Sequence, residues 1–195
     1  MRTFLEWMNT VGTDNVDERQ INVLYNNAKL SVILVQLYSK MTGQKILHNV
    51  STIAPLNQGV YGLYNSAENK KVIGPAVANK IKFKFNQNTL NQTTLDKLPN
   101  NVIKQHLPDI DINQIKPSVV IHVNVNKIVR ELGDTKEAVI EIASTIIHEA
   151  THDLEYQSTG KTNEVGPKNA ESKFRYWVNK NWNFIVSKIP QLSNL

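Results

Sequence analysis

The stretch TIIHEATHDLEY, residues 145–156, holds two histidines four positions apart, with a glutamate directly after the first. On a helix, residues four apart are separated by one turn and about 40° of rotation. His148 and His152 can therefore aim ring nitrogens at one point, about 2.0–2.1 Å from a zinc ion. Glu149 is rotated by about 100° from His148, which sets it beside an open coordination position instead of among the ligands. Zinc lowers the pKa of a bound water to about 7, and a carboxylate in that place can take the proton. The chemistry on offer is metal-assisted attack by water.

Two histidines do not complete such a site, so a further ligand must come from beyond the helix. The chain offers Glu155, Glu164 and Glu171. Glu155 lies nearly two turns past His148 on the same rigid helix, too far along the axis. Glu164 falls in the loop STGKTNEVG. Glu171 shares a face with Phe174, Val178 and Trp182 in the next helix. That apolar face should pack inward against the motif helix and carry Glu171 toward the metal. A buried carboxylate without a partner is costly, and a metal would supply one.

The elements that must position these residues are legible in outline. A long helix is expected after Asp134 or Thr135, through KEAVIEIASTIIHEATHDLEYQ, with apolar residues on most sides, as in a central buried helix. Pro167 suits a first helical position, and the last helix should end near Pro190. SVVIHVNV, residues 118–125, is the strongest strand signal because it is rich in β-branched residues. Upstream, a helix is expected from Asp17 to Gly43. QKILHNV, GVYGLYN, KVIG and NKIKFKF are expected as strands, with SAENK as a turn. Residues 88–117 read as loops with a short helix near TTLDKL.

The motif H-E-x-x-H, followed by eighteen residues (153–170) and then Glu171, resembles the gluzincin branch of the zincin metallopeptidases. The resemblance covers residues 118–185, about the last third of the chain. It implies one Zn²⁺ per chain, held by His148, His152 and Glu171, with Glu149 as general base in hydrolysing a peptide or protein substrate. The implied fold class is α+β: a small mixed or antiparallel sheet packed on the central H-E-x-x-H helix, with a C-terminal helix supplying the third ligand. A sheet containing SVVIHVNV should lie beside that helix, with an edge strand on which peptide substrate adds. Two positions depart from the pattern. Asp153 stands where an uncharged residue is usual, and Arg175 replaces the acidic residue that thermolysin-like members carry four positions after the ligand Glu. The chain therefore looks like a divergent or minimal zincin. Donors for the oxyanion formed in such a reaction come from Tyr156, Tyr176, His106, His122 or Arg175.

Length and composition fit one domain of 195 residues, with residues 1–117 as an N-terminal helix and sheet region and 118–190 as a metal-binding core. The absence of cysteine excludes disulfides and thiolate zinc sites. The opening residues do not read as a signal peptide, and SVILVQLY is too short to span a bilayer. A cytoplasmic location is expected, with packaging into a virus particle an alternative. The net charge of +5 raises nucleic-acid binding. Lys80, Lys82 and Lys84, however, alternate with apolar residues, which favours a solvated sheet face. A zincin-like structural or regulatory protein that keeps zinc for shape is the main alternative to an enzyme.

Overall fold

The computed structural model describes residues 18–73 and 96–195. The expected strand NKIKFKF, with Lys80, Lys82 and Lys84, lies outside the described residues, as do Trp7, the expected start of the first helix at Asp17 and the first half of TTLDKL. The described elements form an α+β fold: five helices and a small mixed sheet of four strands.

Helix α1 spans Glu18–Thr42 and stops at Gly43, whose φ of 70° is open to glycine at little cost. The strands are β1 (Val50–Pro55), β2 (Gly62–Tyr64), β3 (Lys70–Ile73) and β4 (Ile115–Val123). β4 is central: β1 pairs with it in parallel, while β2 and β3 pair antiparallel with its C-terminal and N-terminal halves. Along β4, Val119, Ile121 and Val123 are buried and the residues between them less so, the two-residue period of a strand with one face on the core. Helices α2 (Asn100–His106) and α3 (Val125–Leu132) flank β4 in sequence.

Helix α4, Lys136–Thr159, carries the motif and is packed against α1, α2, α3, β2, β4 and the last helix, α5 (Val165–Lys188). Its buried Val139, Ile142, Ala143, Ile146, Ile147 and Ala150 explain why it needs neighbours on nearly every side. Thr135 caps it by accepting the Ala138 N–H at 3.2 Å, worth about 1 kcal/mol. Gly160 (φ 76°) ends it and turns the chain back. α5 buries Phe174, Val178 and Ile185, with Tyr38 of α1 edge-on to Phe174 at 5.2 Å. Trp177 and Trp182 pack on the same core.

Several expected boundaries shift. QKILHNV is not a strand. Its backbone closes turns, His48 N–H to Lys45 O and Val50 N–H to Leu47 O, and the strand begins only at Val50. Within GVYGLYN only Gly62–Tyr64 is strand, and SAENK contains a 3₁₀ turn capped by Asn65. The β4 strand stops at Val123. Asn124 leaves the sheet, and its side chain accepts the Lys127 N–H at 3.0 Å, starting α3. α5 starts at Val165, two residues before Pro167, so Glu164 stands at its first turn.

Candidate metal centre

α4 and α5 run side by side in opposite directions, and the motif histidines face the start of α5. His148 Nε2 lies 3.3 Å from Glu164 Oε2, and His152 Nε2 lies 3.4 Å from Glu164 Oε1. The ligand atoms of His148, His152 and Glu164 all fall within 4.8 Å of one another. Glu171 lies two turns along α5, roughly 10 Å further down the axis. It reaches the other ring nitrogen of His148, with Oε2 3.3 Å from Nδ1. Its Oε1 accepts from Arg175 Nε at 3.1 Å and Nη2 at 3.0 Å, and Arg175 Nη2 also donates to Glu141 at 2.8 Å. The converging trio therefore contains Glu164 from the loop, while Glu171, the residue expected there, stands behind His148. The early start of α5 is the physical reason: it puts Glu164, not Glu171, level with the two histidines.

The tautomers follow from the partners. A carboxylate only accepts, so His148 Nδ1 carries the proton it gives to Glu171. Thr162 Oγ1 donates to Glu155 Oε2 at 3.0 Å, which uses its hydrogen. The same oxygen lies 2.8 Å from His152 Nδ1 and so accepts from it. With both rings neutral in these tautomers, each Nε2 is a lone-pair acceptor facing a third acceptor, the Glu164 carboxylate. Three acceptors at such separations repel unless a proton or cation lies among them. Burial, together with the nearby His148, holds His152 below its ordinary pKa, which argues against a proton there. The Glu171 hydrogen bond raises His148, against the effect of burial. Two donors each about 2.0–2.1 Å from one tetrahedral ion lie roughly 3.3–3.4 Å apart. Two imidazoles and a carboxylate are also a donor set suited to zinc. These residues can hold a metal ion.

Glu149 is buried, 6% exposed, beside this group. Burial pushes its carboxyl up to about 7; the neighbouring His148 opposes the rise, and Glu164 adds to it. The Tyr64 backbone N–H supplies a hydrogen bond that favours the charged form. β2 comes this close only because residue 62 is glycine. A Cβ there would sit 2.6 Å from Thr145 Cγ2 and closer still to Glu149 Oε1. Together β2, α4, the 162–164 loop and Glu171 line a cleft of about 580 Å³.

Sequence reasoning passed over Glu164 and gave no role to Gly62 or Thr162; a loop ligand has no periodicity to betray it. Glu155 is not at the histidine nitrogens but supports His152 through Thr162. Asp153 accepts hydrogen bonds inside the fold, and Arg175 bridges Glu171 and Glu141. Of the other oxyanion candidates, Tyr156 donates to Lys97 O, His122 pairs with Glu68 at 2.7 Å, and Tyr176 is 66% exposed. The His106 side chain lies outside the description. Among the described residues, no helix is long and apolar enough to cross a membrane. Compared with known proteins, the chain is matched by no family model, no curated protein and no solved structure.

Proposed function

We propose that this protein is a zinc-dependent metallopeptidase. The observation that supports it best is the convergence of two histidine Nε2 atoms and the Glu164 carboxylate beside a buried glutamate in an open cleft. In this reading His148, His152 and Glu164 hold one zinc ion. Glu171 and Thr162 fix the tautomers of the two imidazoles, the role that partners of metal-bound histidines commonly play. The ion supplies Lewis acidity, polarising the scissile carbonyl and lowering the pKa of water.

The remaining steps belong to the chain. Glu149 accepts a proton from the attacking water and returns it to the leaving amine, so that bond formation and bond breaking share one carboxyl. β2 is paired with β4 on one side, and its residues Gly62, Leu63 and Tyr64 line the cleft. An extended peptide can add along it by backbone hydrogen bonds. The partner is therefore a peptide or protein substrate.

The test is cleavage of a mixed peptide library before and after chelation. Cleavage should vanish with the metal and return with one equivalent of Zn²⁺. Cleavage that survives complete metal removal excludes the proposal. Zinc binding without cleavage of any peptide favours a zinc-stabilised structural or regulatory protein instead.

A further inference from the structure

Asp153 follows His152 directly, is 1% exposed, and sits where a charged group needs a reason. Its carboxylate collects donors from four separate segments. Asn49 Nδ2 reaches Oδ2 at 2.8 Å. The Tyr64 hydroxyl (3.1 Å), Gln157 Nε2 (3.0 Å) and Asn69 Nδ2 (3.4 Å) reach Oδ1. Asn69 also donates to the Tyr64 oxygen at 2.9 Å, so the phenol is held from two sides.

Tyr64 is the member of this network that touches the site. Its ring lies parallel to the His152 imidazole, 10° between planes and 6.1 Å between centroids. Its backbone belongs to β2, two residues from Gly62, and its own N–H hydrogen-bonds Glu149. Thr162 sets His152 at Nδ1, and Tyr64 sets it at the ring face. One buried carboxylate thus anchors the side chain that fixes both a histidine ring and the strand beside the base.

We propose that Asp153 is a positioning residue for the metal centre. It acts through the Tyr64 hydroxyl to hold the His152 ring and to seat β2 over Glu149. This role rests on the metal-binding reading of His148, His152 and Glu164. It accounts for a charge at a position that has no contact of its own with the cleft: Asp153 serves the site from inside the core.

Cobalt(II) is the probe, because its visible absorption reports the geometry of the bound ligands. Asp153→Asn and Tyr64→Phe are compared with wild type for folding by circular dichroism, for cobalt affinity and for the cobalt spectrum. Both variants should bind cobalt about tenfold more weakly, the lower end for lost support of metal ligands. Both should show an altered visible band. The double variant should be no weaker than Asp153→Asn alone, because the two changes cut one connection. An unaltered spectrum and affinity in folded variants, with only a lower Tm, reduces Asp153 to a packing residue and overturns the role. If Asp153→Asn fails to fold, Tyr64→Phe decides by the same criterion. Wild-type protein that takes up no cobalt removes both the metal centre and this role. Normal uptake with unperturbed variants removes the role alone.

Discussion

Glu171 meets His148 at Nδ1, 3.3 Å away, and leaves Nε2 of the same ring to Glu164. The two carboxylates thus hold different jobs on one imidazole. In the proposed metal centre Glu164→Gln removes a charged donor, whereas Glu171→Gln keeps a hydrogen-bond acceptor on Nδ1 and loses only its charge. Zinc affinity should fall more than 100-fold for Glu164→Gln and about 10-fold for Glu171→Gln, by competition with a chelating dye. The reverse order would assign the third ligand to Glu171.

Gly62 should tolerate no side chain. An added Cβ meets the branched Thr145 side chain on a rigid helix as well as the Glu149 carboxylate. Gly62→Ala must push β2 away from α4, at about 1–3 kcal/mol. Thermal unfolding should show that loss, and peptide cleavage should fall by tenfold or more. At Gly59 nothing lies within reach of an added Cβ, so Gly59→Ala should leave both nearly unchanged.

Lys71 gives a pH dependence with a definite sign. It is 8% exposed and donates to Gln157 and Asn100. Burial lowers its pKa from 10.5 to about 8, against the pull of Asp153. The folded state thus binds this proton less tightly than the unfolded chain. The cost of burying the ammonium is fully present below pH 8 and relieved as pH rises to 10.5. Stability should therefore climb across that window by up to about 3 kcal/mol, and the climb should be absent in Lys71→Met. Urea unfolding of both proteins at pH 7.5 and pH 10 checks this; equal pH trends would contradict it.

What could be read from the sequence divides along physical lines. α4 was legible because apolar residues surround it and Thr135 and Gly160 mark its ends. Phe174 and Val178 showed that α5 packs inward. Glu164 was not legible as a partner of both histidines, since one early helical turn decides its place and no periodic pattern records that turn. Through-space chains such as Glu155–Thr162–His152 leave no sequence signature either. α3 left one that was overlooked: Asn124 followed by Val125, Ile128, Val129 and Leu132 is a capped helix spacing, obscured by the β-branched run before it. Asp153 and Arg175, the two departures from the zincin pattern, each have one partner at helical spacing (Gln157 and Glu171), but Asn49, Tyr64, Asn69 and Glu141 reach them only through the fold.

The most direct test of the central claim pairs wild type with Glu149→Gln, each purified, assayed for bound zinc, and incubated with the same peptide library. In the proposed reaction Glu149 moves the proton, and it is not among the converging ligand atoms. Both proteins should hold one zinc per chain, and only wild type should cleave. A wild type without zinc, or a Glu149→Gln variant that cleaves as fast as wild type, would contradict the account.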